Sequence, residues 1–388
     1  MEALELLDII GDGETSRVQF KEIINSPDQL TAEMAAFCNC LGGKLIIGVK
    51  DETGKIVGLS SHDIRTISSM VGNVASNNIK PPVFVVTEVV TVDERKVLIV
   101  EIPQGTDKPY YDNKGIVWTK NASDKRRVTD NNEMARLLAE GGNLSADEML
   151  VRSAKIYDLN ENEIFDYCKQ KAKESGKEFD PDSVSDFAKL LENLHLYKDG
   201  HINLAGILLF GKEPQKFKPA FCIKAVSYFG NDISGTKYRS SKDIIGNIKV
   251  LYAHGKDFLL ANLDNIQKGQ GFNKQGILEI FEVAIEELLV NALVHRDYFK
   301  NAPIRLLIFD NRVEIISPGK LPNNLSVENI KAGQAVLRNN IIASMGSRIL
   351  PYRGLGTGIS RAYKAHPDIE LINDDDGEQF TVKIPRHL

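Results

Sequence analysis

Glu287 and Asn291 lie four residues apart in the run Glu286-Glu287-Leu288-Leu289-Val290-Asn291-Ala292-Leu293-Val294-His295, and a cluster of Gly354, Gly356 and Gly358, with Thr357 inside it, follows downstream. Residues four apart share one face of a helix, so a carboxylate and an amide can point into one cavity while Val283, Leu288, Val290 and Val294 pack elsewhere. The carboxylate suits a general base that activates water, and the amide oxygen suits a hard cation such as Mg2+. Glycines at alternate positions, ahead of a helix-like run over 359–365, let backbone N–H groups approach phosphate. Together the two pieces suggest an ATP site assembled from distant parts of the chain. Each alone also fits a plainer reading, a solvated helical face for the Glu–Asn pair and a tight turn for the glycines.

Hydrophobic periodicity around these residues predicts an α/β chain of the α+β type. Strands are expected over 17–22, 44–49, 83–90, 96–102 and 115–120, with helices over 28–41 and 131–139. Gly141, Gly142 and a Ser145 N-cap then mark a boundary, after which the pattern is helical to about residue 196. Beyond it come a buried apolar segment over 204–210, a strand over 221–229, a helix over 242–263, the Glu287–Asn291 helix and strands over 304–310 and 312–317. A hairpin around Asp374-Asp375-Asp376-Gly377 closes the chain. The expected domains are 1–142, a helical connector over 143–200, and 201–388.

With 388 residues, 42% of them hydrophobic and 26% charged, the chain can build two or three cores without covalent staples. A net charge of −5 excludes a polycation, so nucleic-acid contact must come from a local patch. Lys114, Lys120, Lys125, Arg126 and Arg127, set against Asp124 and following Trp118, supply one; the group fits a phosphate-contacting loop or a solvated basic loop. The apolar runs are too short to span a membrane and the start Met1-Glu2-Ala3-Leu4-Glu5 lacks a basic leader, so a cytoplasmic protein is expected. Cys38, Cys40, Cys168 and Cys222 are too scattered for a disulfide framework or a zinc site. Two apparent motifs fail on their own chemistry. Gly206 to Lys212 fits a phosphate-loop spacing, but Glu213 replaces the hydroxyl residue that would hold Mg2+; His295-Arg296-Asp297 looks like a kinase loop, but Asn301 comes one residue early.

The stretches from Glu287 to Tyr298 and over 313–322, then Arg338-Asn339 and Gly354 to Ile359, resemble in that order the ATP-binding fold of the gyrase, histidine-kinase and mismatch-repair (GHKL) superfamily, in the variant found in bacterial regulators of transcription. The resemblance implies an α/β sandwich over 201–388 with ATP and Mg2+ as cofactors. Glu287 would be the water-activating base of an ATPase and Asn291 the Mg2+ ligand. Gly319, Gly354, Gly356, Thr357 and Gly358 would contact nucleotide, and 319–353 would form a lid. One position departs: where the superfamily has an aspartate for the adenine amino group, this chain has Ser317-Pro318-Gly319, which bears on base recognition and turnover.

Gly13-Glu14, Val18 to Lys21, Ala36 to Asn39, Gly42 to Val49 and Gly58-Leu59 resemble the AlbA-like domain of the Schlafen family, also called divergent AAA-4. That resemblance implies an α/β domain that binds nucleic acid, here through Lys21, Lys120, Lys125, Arg126 and Arg127. Some members cut nucleic acid with three metal-holding carboxylates. Glu14 and Asp51 are counterparts of two, and Gln19 stands at the third, removing one charge and favouring binding over cutting. The combined expectation is an ATP-binding regulator of transcription, homo-oligomeric, whose nucleotide state controls binding of DNA or RNA. The alternative is an ATP-regulated, metal-dependent nuclease in antiviral defence, acting through Glu14, Gln19 and Asp51.

Overall fold

The computed structural model describes residues 1–388 except 52, 235–236, 268–275, 323–324, 355, 376, 387–388 and the side chain of Asn132. Leu355 of the glycine run and Asp376 of the closing hairpin lie outside the described residues. The fold is α/β, and the chain divides into two compact units, Met1–Leu144 and Ser145–Leu388. Among the described residues no helix is long and apolar enough to cross a membrane.

The first unit runs α1 (Ala3–Asp12), β1 (Val18–Lys21), α2 (Pro27–Asn39), β2 (Gly43–Ile47), α3 (Ser61–Asn73), β3 (Val86–Val92), β4 (Arg95–Ile102), β5 (Trp118–Asn121), β6 (Asp124–Arg127) and α4 (Asn131–Glu140). Its sheet has the order β1-β2-β4-β3, with β1 and β2 parallel and the other pairs antiparallel. Because side chains alternate along a strand, Leu45, Ile47, Leu98 and Val100 pack with α2 and α3, while Ile46, Val97 and Ile99 pack with Leu6 of α1. Both faces are covered, which is why Leu45-Ile46-Ile47 reads as an unbroken apolar run. Periodicity over 1–12 and 61–73 did not reveal α1 or α3. Of the expected basic group, Lys125, Arg126 and Arg127 lie in β6 and Lys120 in β5, two strands paired antiparallel from Trp118 opposite Arg127 to Asn121 opposite Asp124, with Lys114 ahead of them.

The second unit begins with α5 (Glu161–Glu174), α6 (Phe187–Asn193), a minimal hairpin of β7 (Tyr197–Lys198) and β8 (His201–Ile202), and α7 (Leu204–Phe210). Then come β9 (Ile223–Tyr228), β10 (Tyr238–Ile244), α8 (Ile248–Ala261), the short pair β11 (Asn265–Ile266) and β12 (Ile277–Leu278), and α9 (Glu282–Val294). It closes with β13 (Ile304–Ile308), β14 (Arg312–Pro318), α10 (Val327–Lys331), α11 (Asn340–Ile349), α12 (Gly358–Ala365), β15 (Glu370–Asp374) and β16 (Gln379–Pro385). The six-stranded sheet has the order β10-β9-β13-β14-β16-β15, with β9 and β13 parallel and the rest antiparallel.

One face of that sheet, including Ala225, Leu306, Ile315 and Val382, packs against α8, α9 and α12. The other side of α9 carries Val290 and Val294 into a second cluster with Ile164, Leu191, Leu208, Phe210, Ile342 and Met345. Residues expected as a connector over 143–200 therefore share a core with α9 and α11, and the unit starts at Ser145. The helix expected over 242–263 is two elements. Gly246, at φ +133°, turns the chain after β10, and Asn247 caps α8 by accepting from Val250 N at 3.1 Å. Val283, expected to pack, is 49% exposed.

Candidate functional site

The second unit encloses a cavity of about 120 Å³ bounded by α9, the ends of β14 and β16, the segments before and after α11, and the start of α12. Glu287, Asn291, Ser317, Gly319, Gly354, Gly356, Thr357 and Gly358 all line it, so residues as far apart as Glu287 and Gly358 in the sequence meet here. Burial of α9 on two sides leaves Glu287 and Asn291 as its polar edge, and α12 packs along that edge. The glycines are required by the approach of the chain. A Cβ on Gly358 would come within 2.6 Å of Glu287 Oε2, and one on Gly356 within 2.3 Å of Gly333 O.

Two features of α9 and α12 were not legible in the sequence. Arg361 Nη2 forms an ion pair with Glu287 Oε1 at 2.6 Å, so the expected base is held by a cation from this chain. Asn291 Nδ2 is buried with no hydrogen-bond partner. An orphaned buried donor beside glycine-bounded space fits a ligand that brings oxygen atoms, and rotation of the amide presents its oxygen to a cation instead. The residues present are thus of the right kind for a phosphate-bearing ligand and its metal. The spacing of Arg361 from Gly358 would have pointed to this face once α12 was placed, because three residues are nearly one helical turn.

At the inner end, Ser317 Oγ donates to Ala292 O at 3.1 Å, tying β14 to α9. Gly319, at φ +102°, fits only because it lacks a side chain; a Cβ would lie 2.3 Å from Asp297 Cβ and 2.6 Å from Arg338 Nη1. His295 lines the cavity with Tyr352, whose hydroxyl is 3.3 Å from His295 Nε2. Burial first, and then the charge of Arg338, hold its imidazole down at about 4, so it is neutral near pH 7. Arg296 is structural: its buried guanidinium donates to Asp297 O at 3.1 Å and Lys300 O at 2.9 Å, contacts Ala302 O and lies over the rings of Phe221 and Tyr298.

The stretch 319–353, expected as a lid, contains an anchored part. Ile342 and Met345 of α11 are buried, Ile342 N donates to Asp147 Oδ2 at 2.8 Å, and Asn339 Nδ2 donates to Val294 O and Arg296 O, both at 2.8 Å. Burial pushes the Asp147 carboxyl up, opposed by Ser145 and the α11 amides.

In the first unit the residues expected to hold metal or nucleic acid mostly hold one another. Glu14 Oε1 accepts from Gln19 Nε2 at 2.5 Å and from Phe20 N at 2.7 Å. Gln19 Oε1 accepts from the buried Lys120 Nζ at 2.6 Å, which also reaches Glu33 Oε2 at 3.1 Å; Lys125 Nζ takes Glu33 Oε1 at 2.6 Å. Desolvation lowers the Lys120 ammonium, against the pull of Glu33. Asp51 is ion-paired with Lys21. Arg126 forms a two-pronged pair with Glu133 at 2.9 and 2.8 Å, and Lys114 pairs with Asp28 at 2.6 Å. Arg127 is exposed and lies over the Trp118 ring, 5.2 Å from its centre. Among the described residues, no group of three or more His, Cys, Asp or Glu side chains converges as a metal site. The expected patch is therefore largely neutralised by acids of α2 and α4, and Lys120 is a buried network residue rather than a surface contact.

Residues 14–129 match the family model "Schlafen, AlbA_2", and residues 301–384 match "Putative ATP-dependent DNA helicase recG C-terminal" (HATPase_c_4). The chain joins an AlbA_2-like domain to an ATPase-like one. Between them, residues 135–224 match a domain of unknown function, DUF8451, which spans the helices expected as a connector. Glu287 and Asn291 lie upstream of the stretch matched in the ATPase-like unit and reach it through packing. Among solved structures, the DIP2311 protein from Corynebacterium diphtheriae is 20% identical with a TM-score of 0.45, over 99% of this chain and 69% of that one. The N-terminal domain of a "Putative ATP-dependent DNA Helicase RecG-related Protein" from Nitrosomonas europaea is 22% identical with a TM-score of 0.23, over 34% of this chain and 96% of that one. A search among curated proteins finds no match.

Proposed function

We propose that the ATPase-like unit binds ATP with Mg2+ and that the chain is a homo-oligomeric regulator whose nucleotide state controls binding of DNA or RNA. The observation that carries this reading is the meeting of Glu287 and Asn291 with Gly354, Gly356 and Gly358 around one cavity, with Asn291 Nδ2 unpartnered. Asn291 would hold the metal, the glycine backbone would approach the phosphates, and Glu287 would orient or deprotonate a water. Bound Mg2+ would neutralise phosphate charge. Hydrolysis would require Glu287 to leave Arg361, so sensing of nucleotide is the better supported role and turnover the weaker one.

For nucleic acid, support rests on the AlbA_2 match and on the exposed Arg127 beside Trp118, a cation and an aromatic ring of the kind that contacts phosphate and base. The nuclease alternative has less support, because Glu14 and Asp51 are each engaged by this chain's own donors. Fluorescence anisotropy with labelled DNA and RNA, with and without saturating ATP and Mg2+, tests the reading. A change in affinity on adding ATP is expected; unchanged affinity for both nucleic acids overturns the regulatory claim.

A further inference from the structure

Glu287 on α9 and Arg361 on α12 form their ion pair at the cavity wall, with side chains 14% and 36% exposed. Two donors beside this pair are buried without an acceptor, Arg361 Nε and Asn291 Nδ2. Gly358 keeps the space between them open, since a Cβ there would approach Glu287 Oε2 to 2.6 Å and Asn291 Nδ2 to 3.3 Å. A guanidinium presents its N–H groups as a planar fork that suits phosphate oxygens, and here a carboxylate takes one side of that fork while another donor is unmet. Arg296 Nε is also buried without a partner, but Arg296 does not line the cavity; at Arg361 two unmet donors and an open space share one wall. Unmet donors of this kind beside open space are what an oxyanion receptor offers.

We propose that Arg361 reads the nucleotide's phosphates: the empty site locks Glu287 against Arg361, and an entering polyphosphate takes the guanidinium and releases the carboxylate. The inference rests on the nucleotide reading above and adds a residue and a sign to it. Arg361 should make affinity depend on the number of phosphates. Glu287 should compete with the ligand for that cation, so removing its charge should tighten binding.

The test is displacement of a fluorescent ATP analogue by ATP and by AMP from the full chain with Mg2+, for wild type, Arg361→Gln, Arg361→Lys and Glu287→Gln, with a thermal melt of each. Arg361→Gln should weaken ATP roughly ten-fold or more, as expected for loss of a charged hydrogen bond, and leave AMP within about two-fold. Arg361→Lys should recover part of the ATP affinity, and Glu287→Gln should tighten ATP a few-fold. Equal losses for ATP and AMP in Arg361→Gln, or weaker ATP binding in Glu287→Gln, overturn the proposal; the lysine and Glu287 variants decide it if the glutamine variant does not fold. Wild-type protein that binds ATP indifferently to Arg361 removes this inference alone. Wild-type protein that binds no nucleotide removes the nucleotide reading and this inference with it.

Discussion

In the AlbA_2-like unit, Glu14, Gln19, Lys120, Glu33 and Lys125 form a chain in which each charged group meets a partner from the same unit. In the ATPase-like unit, Asn291 Nδ2 and Arg361 Nε are buried with no acceptor, beside a cavity kept open by glycines. The two clusters have similar residue types and opposite bookkeeping. A closed network stabilises its fold and has little left to offer a ligand, whereas an unmatched one costs stability and leaves donors for an incoming group. The first cluster is thus mostly structural, whereas the second keeps unmet donors beside its cavity.

This contrast predicts opposite responses to truncation. Lys120→Ala leaves Glu33 buried with half its charge partners, and should cost about 3–5 kcal/mol in chemical denaturation of the AlbA_2-like unit; a cost under about 1 kcal/mol would show that the network is not closed in solution. A smaller effect, about 3 kcal/mol, is expected from His295. Its folded value is about 4 against an ordinary 6.5, so the unfolded chain binds the extra proton between these limits. Stability from this group is present above pH 6.5 and is lost as pH falls toward 4. Denaturation midpoints against pH should show that slope in wild type and a flatter one in His295→Gln; parallel curves would contradict the burial argument. The smallest effect on stability should come from Asn291→Ala, within about 0.5 kcal/mol because the amide nitrogen forms no bond that truncation could break. The same substitution should remove Mg2+-ATP binding in calorimetry, and retained binding would disconnect this residue from the site.

The fold was legible where one period dominated. The first unit's main strands and the helix carrying Glu287 follow from alternation and from i to i+4 spacing; the two larger sheets contain their expected strands within a few residues, and the strand expected over 115–120 is β5, in a separate pair with β6. The sequence misled where a local cap interrupted an apolar pattern. Lys242, Asp243 and Ile244 belong to β10 because Gly246 and Asn247 end the strand and start α8, a break that hydropathy passes over. The segment 204–210 could not be told between strand and helix by composition; Asn203, which accepts from Gly206 N at 2.9 Å, decides for helix. The basic run was legible as charge but not as contact, since Glu33 and Glu133, which neutralise it, come from α2 and α4.

By itself the sequence determined the α/β class and the place of Glu287 and Asn291 on one face of a helix, because periodicity is a local property. Only the tertiary structure decided that Arg361 holds Glu287, that Asn291 Nδ2 is left without a partner, and that Lys120 is spent inside its own unit. Those facts depend on which distant charges share a low-dielectric interior, and a Coulomb partner is set by distance in space rather than along the chain.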